Sequence, residues 1–250
     1  MRALGVVMIA INELLLALAN LLTSIISGIA GMGGGVILVG LLPLFLPATA
    51  IVPVHATAQL ASNASRAWFG RAQMDWRYIL PYVIGAVGGT AVFWLLVRVI
   101  SLEWVPLFIA VYILLTQWIK PVNRWLKNRE NFYLIGFIQV GIGMFVGSPG
   151  PLHMPLLTKK YDDTHTVVTV ASAMMTFFHV FKLVAYLALG FVFMDYWQLI
   201  VLMSVSAIIG SWLGVRLRHR MPMTWLKGAM PWILTVIALQ VMVKFVLERV

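Results

Sequence analysis

Two glycine-rich stretches decide how this chain is read: Gly31-Met32-Gly33-Gly34-Gly35 and Gly147-Ser148-Pro149-Gly150-Pro151. Each is flanked by apolar sequence. The runs that begin at or follow them, 35–46 and 151–157, are too short to cross a hydrocarbon core of about 30 Å, which takes about 20 helical residues. Longer apolar runs lie at 4–30, 50–69, 76–97, 102–119, 131–147, 165–193, 196–215 and 224–247. The spacing predicts broken or re-entrant helices at the two glycine-rich stretches and full crossings elsewhere. The surrounding composition agrees: 62% of the 250 residues are hydrophobic and 10% charged, with mean hydropathy +0.96. Soluble chains carry about 25% charged residues, so this one cannot cover a globular surface with polar groups. The expected fold is an all-α integral membrane protein, with no room for a soluble enzyme domain.

The formal charge of +10 would suit nucleic acid in a soluble protein, but here the cations fall in gaps between apolar runs, a pattern that orients helices in a bilayer. No cysteine is present, which excludes disulfides, thiolate metal sites and a Cys nucleophile. The first apolar stretch is too long for a signal-peptide core and contains Asn12 and Glu13, so it is read as part of the fold. Trp76, Tyr78, Trp118, Trp125, Tyr196 and Trp197, near run ends, read as interfacial anchors.

The two interruptions are related by an internal repeat. A shift of 112 places Gly31, Met32, Gly35, Pro43 and Leu44 on Gly143, Met144, Gly147, Pro155 and Leu156. A shift of 116 places Asn63 on His179 and Arg66 on Lys182, one of 120 places Met74-Asp75 on Met194-Asp195, and one of 121 places Gly89-Thr90 on Gly210-Ser211. The reading is two repeats, 1–120 and 131–250, joined by a basic cytoplasmic linker, 121–130. Each comprises an interrupted segment (4–46 and 131–157) followed by three helices. If both interrupted segments return to their own side, loops 70–77, 120–130, 158–164 and 216–227 share one side and hold twelve cations against four opposite. If both cross fully, the division is seven against nine. Charge therefore favours inverted repeats with both termini outside the cytoplasm.

A helix broken at membrane depth exposes N–H and C=O groups that hydrocarbon does not tolerate, so such breaks survive where protein or a watery cavity meets them. Glycines allow positive φ and close approach, and the half-helix that follows aims N–H groups and its positive dipole end at the gap, an environment that favours an anion. The candidate substrate-contacting positions are Gly31, Gly33, Gly34, Gly35, Gly147, Ser148 and Gly150. The competing reading is close packing of small residues between helices. Arg66 and Lys182 lie inside apolar helices, where a cation costs at least about 2.5–3.5 kcal/mol and normally faces a partner, cavity or substrate. Asn63 and His179 precede them by three residues and share their helix faces, as Gln59 and Ser62 do with Arg66. Snorkelling of Arg66, or an ion pair with Glu13 or an aspartate, is the bland alternative. Glu13 is open between a proton carrier and an ion-pair partner. His55, His153, His165 and His179 have no metal-ligand spacing, and His153 is expected to line the second break. No metal or cofactor is expected, and Gly31-Met32-Gly33-Gly34-Gly35 lacks the βαβ context of a dinucleotide fingerprint.

The duplicated glycine-rich interruption, the following Pro43 and Pro155, the stretch Ser62-Asn63-Ala64-Ser65-Arg66 and the Gly85-x-x-Gly88-Gly89 helix resemble the TauE/SafE sulfite exporter family, also called the TSUP permeases. The likeness covers nearly the whole chain and is strongest in 27–90. It implies a secondary transporter of the bacterial cytoplasmic membrane that exports sulfite, sulfoacetate or another small organosulfur anion. The expectation is that the breaks meet near the midplane, Arg66 and Lys182 neutralise the anion, and the halves rock between inward and outward access. The readings from other classes are an intramembrane enzyme using Glu13, His153 and His179, a non-transporting scaffold and, within transport, an anion channel. Partners are the small anion and lipid, with no nucleic acid; a homo-oligomer is compatible.

Overall fold

The computed structural model describes residues 2–118, 130–150, 152–218 and 224–249, and of these only the backbone at 2–10 and 224–227. Of the basic linker at 121–130, residues 121–129, with Arg124, Trp125, Lys127 and Arg129, lie outside the described residues, as do Lys120, Pro151 and Arg220. The regular structure is helical: α1 (Arg2–Ala30), α2 (Gly34–Leu41), α3 (Ala48–Phe69), α4 (Trp76–Val97), α5 (Val105–Trp118), α6 (Phe132–Val146), α7 (Met154–Lys160), α8 (Thr164–Ala188), α9 (Trp197–Leu217) and α10 (Thr224–Leu247). No strand occurs among the described residues.

Five helical segments, Ile11–Ala30, Trp76–Val97, Thr164–Ala188, Phe193–Leu217 and Gly228–Leu247, are long and apolar enough to cross a membrane. Leu14, Leu18 and Leu22 on α1, Leu80, Ile84 and Val87 on α4, Val201, Val205 and Ile208 on α9, and Val236, Leu239 and Val243 on α10 are exposed at helical spacing. In water such stripes would drive aggregation; they suit a hydrocarbon surround. The chain is a multi-pass membrane protein. Helix α3 differs: from Ala50 to Ala67 none of its residues is exposed, so its polar side chains are shielded from lipid by neighbouring helices.

Chain punctuation sets the helix ends. Gly31 and Gly33 adopt φ of 78° and 98°, and Gly147 and Gly150 adopt 72° and 73°, the left-handed region that side chains with a Cβ rarely enter. Both interruptions are therefore backbone breaks rather than continuous packed helix. Asp75, Asn131 and Asp163 cap α4, α6 and α8 by accepting backbone N–H bonds at their starts. The run expected to stay helical to residue 193 stops at Ala188, because Gly190 turns to φ 87° and Phe191 N bonds back to Tyr186 O.

The packing pairs helices from opposite halves. Arg66 on α3 meets Ser172 on α8, while His55 meets His179, so these two helices run antiparallel although they occupy the same place in the two series. Helices α5 and α10 are likewise antiparallel, with Trp118 on Thr235 and Trp104 on Phe245. Helix α1 lies parallel to α9, Asn20 bonding Met203 O and Gly28 abutting Gly214; α6 lies parallel to α4, with Gly85 against Tyr133 and Gly141 against Phe93. A Cβ on Gly28 would lie 2.7 Å from Gly214 Cα and one on Gly85 would lie 1.9 Å from Tyr133 O, so close small-residue packing operates here, away from the breaks.

Each interrupted segment doubles back. Gly34 begins α2 against Thr23 and Ser27 of α1, and the far end of the segment delivers the Pro43 and Leu44 carbonyls to Lys244 near the end of α10. Helix α7 returns to the start of α6, where Lys160 bonds Glu130 at 2.5 Å.

Candidate functional site

The antiparallel contact of α3 and α8 forms a buried polar seam. On α3, His55, Gln59, Ser62 and Arg66 recur at intervals of three and four, with Asn63 three before Arg66, and so share one face; on α8, Ser172, His179 and Lys182, spaced by seven and three, share one as well. All eight are buried.

At one end Arg66, 4% exposed, donates from Nη1 to Ser62 Oγ (2.7 Å), from Nη2 to Asn63 Oδ1 (2.6 Å) and from Nε to Ser172 Oγ (3.3 Å). Ser211 of α9 stands 3.5 Å from Nη1 and donates to Ser62 O, and Ser62 Oγ donates to Ser24 of α1. The guanidinium is thus held by neutral oxygens. It does not snorkel, because its helix is enclosed by α8, α9 and α1.

At the other end Lys182, fully buried, donates from Nζ to Gly147 O and sits 4.9 Å from the centre of the Phe178 ring. Among the described residues no carboxylate pairs with either cation; the ion pairs are Glu130 with Lys159 and Lys160, Lys244 with Glu248, and Arg249 with Glu103. Glu13 is half-buried on α1 and forms no ion pair with the described residues. A buried cation without a counter-charge keeps a large unsatisfied electrostatic demand.

Between the cations lies a histidine pair. The rings of His55 and His179 meet edge-on at 5.8 Å, His55 Nε2 bonds Gly35 O at 2.9 Å, and His179 is within electrostatic reach of Lys182, His55 and Arg66. Among the described residues, His55 Nδ1 and both nitrogens of His179 are buried with no hydrogen-bond partner. Leaving such groups unpaired costs roughly 1–3 kcal/mol each.

The breaks meet at one point. A Cβ on Gly35 would fall 2.9 Å from Gln59 Oε1 and 3.3 Å from Ser148 Oγ. Elsewhere they stand apart: Gly31 abuts Val168 near the start of α8, and Gly147 abuts Val39 and Val52 near the start of α3. Because α3 and α8 are antiparallel, these starts are at opposite ends of the seam. Lys182 is ten residues beyond Ser172, roughly 15 Å of helix rise. Arg66 and Lys182 thus stand at separate levels of the seam, with the histidines between.

Side chains occupy much of the backbone the breaks expose. Gly28 O accepts from Nε and Nη2 of Arg218, and Gly34 N donates to Ser27 Oγ. Val36 and Ile37 N close onto Gly33 O, so of the first four amides of α2 only that of Gly35 stands outside these bonds, fewer than expected for an open anion cradle. In the second break Met144 O accepts from Tyr186, Pro149 O from Tyr112, and Gly150 O from Gln139, whose Oε1 faces His153 Nδ1. His153 lines this break, as expected. No group of three metal-binding side chains occurs among the described residues.

Sequence reasoning singled out Arg66, Lys182, Asn63 and His179, but gave no role to His55, Ser172, Ser211 or Gln139. His55 was legible, since it stands four residues before Gln59 on the same face. Ser172 and Ser211 carried no signal, because small hydroxyl residues are common in membrane helices and their use depends on which helix lies opposite.

No curated protein and no solved structure matched the chain. The family model described as sulfite exporter TauE/SafE matches residues 16–241, a span that includes both breaks and the whole α3–α8 seam. The chain therefore belongs to the TauE/SafE sulfite exporter family, a family of membrane transporters and not of enzymes.

Proposed function

We propose that the protein exports sulfite or a small organosulfonate across the bacterial cytoplasmic membrane, and that the α3–α8 seam is the anion's path. The observation that carries this reading is a carboxylate-free seam holding two buried cations, Arg66 and Lys182, on either side of unpartnered imidazole nitrogens. Hydrocarbon makes such a set costly, and an anion in the seam would answer it. Arg66 would receive the anion with Ser62, Asn63 and Ser172 at the level of Gly31 and Gly33, whose turn sets that end of the seam. Lys182 would receive it at the level of Gly147, Ser148 and Gly150. Gly34 and Gly35 stand between, where the two breaks touch.

The halves are read as inverted repeats rocking about this seam. That reading is supported by the antiparallel pairing of α3 with α8 and α5 with α10, and by the return of each interrupted segment to its own side. With the basic loops cytoplasmic, both termini lie outside and α1 runs inward. A membrane potential negative inside assists anion export by about 2.3 kcal/mol per charge per 100 mV.

Protein reconstituted in liposomes with sulfite, sulfate, thiosulfate and sulfoacetate tests this. Flux of unchanged anion is expected; chemical product would mean an enzyme, neither would mean a scaffold, and conduction far above alternating-access rates would mean a channel. Arg66→Ala and Lys182→Ala should each slow flux by about tenfold or more, because a charged hydrogen bond is worth about 1.5–3 kcal/mol. Folded variants that transport at the unmodified rate would remove the charge from the mechanism.

A further inference from the structure

The hydrogen-bond inventory of the histidine pair says more about what the seam carries. His55 Nε2 lies 2.9 Å from Gly35 O. A carbonyl oxygen only accepts, so Nε2 is the ring nitrogen that bears hydrogen, and in the neutral ring Nδ1 is a bare lone pair. That Nδ1 is buried and has no partner among the described residues, and the same holds for both nitrogens of His179. An oxyanion beside this nitrogen would set lone pair against lone pair. The contact becomes a hydrogen bond only when a proton lies between them, carried by the anion as O–H or by the imidazole as N–H.

The titratable and charged groups around the cluster are few. From α8 the cluster faces His179 and Lys182, and along α3 it faces Arg66. Tyr112 of α5 and Tyr186 of α8 are committed to Pro149 O and Met144 O. Helix α2 brings no titratable side chain, and α6 and α9 contribute none near His55. The carboxylates on elements that pack against α3 are Glu13 on α1, Glu103 in the turn at 102–104 and Asp195 in the turn at 193–196; the last two are exposed, and none pairs with this cluster.

We infer that His55 makes the seam a joint site for an anion and one proton, so that each oxyanion is bound and moved together with a proton. The proton comes from water on the loading side, sits between the anion and His55 Nδ1 while the site is occupied, and returns to water on the releasing side. No bond other than O–H and N–H changes. A dianion then crosses with a net charge of −1 and is still assisted by the membrane potential, whereas a monoanion crosses without net charge. The inference rests on the reading of the seam as the anion path.

Titration calorimetry of the purified protein with sulfate, and with thiosulfate, measures it. Neither anion titrates near neutral pH, so any proton taken up belongs to the complex. Run at one pH in buffers of different ionisation enthalpy, the heats should report uptake of about one proton per anion, and affinity should fall about tenfold per pH unit. His55→Gln, whose side-chain amide can donate to an anion without titrating, should bind more weakly, with no proton uptake and a flat pH dependence. Binding without uptake in the unmodified protein, or uptake unchanged in His55→Gln, overturns the joint site while leaving the anion path intact. Where the variant fails to fold, absence of uptake in the unmodified protein still overturns the joint site. Absence of binding by sulfate, thiosulfate, sulfite and sulfoacetate alike overturns the anion path and the joint site together.

Discussion

Adjacent glycines in the first break do different work. A Cβ on Gly34 would stand 1.8 Å from Thr23 O, a backbone atom held in helix α1, whereas one on Gly35 would meet the movable ends of Gln59 and Ser148 at 2.9 and 3.3 Å. Gly34→Ala therefore forces α1 and α2 apart and should lower the melting temperature in detergent sharply or abolish folded protein. Gly35→Ala should fold, since two side chains can yield, yet occupy the point where the breaks touch. Its melting temperature should stay within a few degrees of the unmodified protein while anion flux falls severalfold, consistent with overpacking costs of about 1–3 kcal/mol. Equal loss of folding in both variants would mean that the contact at Gly35 is structural alone. The same scale explains why Lys182 has two aspects. Its bond to Gly147 O satisfies a carbonyl that the break exposes, and its remaining N–H donors stay available to a ligand.

At the scale of elements, the aqueous ends of the helices are set by caps. The Asp75 carboxylate accepts from Arg77 N and, at 2.6 Å, from Tyr161 O–H, tying the start of α4 to the end of α7. The Tyr161 hydrogen bond, then the Arg77 amide, hold the Asp75 carboxyl below the usual carboxylate range. A carboxyl with a depressed folded-state value stabilises fully above its unfolded value and loses that contribution as pH falls through the folded one. Acidification below about pH 4 should therefore loosen this end. Asp75→Ala should cost about 0.5–2 kcal/mol as a lost N-cap, read as a lower melting temperature at neutral pH, and the variant should lack this part of the acid sensitivity. A variant with the same melting curve at both pH values as the unmodified protein would show that the cap contributes nothing.

At the scale of the whole molecule, the proposed orientation can be read by labelling, because the chain has no cysteine of its own. Single cysteines at Ala72, in the exposed turn at 71–73, and at Ser101, in the exposed connection before α5, lie at opposite ends of α4. With the basic loops cytoplasmic, Ser101→Cys should react with a membrane-impermeant maleimide in intact cells, and Ala72→Cys only after lysis. The reverse pattern would overturn the orientation, and equal reactivity in intact cells would overturn the crossing of α4.

That the chain belongs in a bilayer, that it breaks at Gly31–Gly35 and Gly147–Gly150, and that Arg66 and Lys182 are held within apolar helices was legible in the order of residues alone. These follow from local chemistry: hydrocarbon thickness sets run length, glycine and proline end helices, and an intramembrane cation is costly wherever it lies. The antiparallel facing of α3 and α8 emerges only from the packed fold. That single relation sets the two cations at separate levels, gives Ser172 and Ser211 to Arg66, and brings His55 against His179. No local pattern encodes it, because which helix stands opposite is settled by the small-residue contacts of α1 with α9 and α4 with α6, surfaces of residues far apart in the chain.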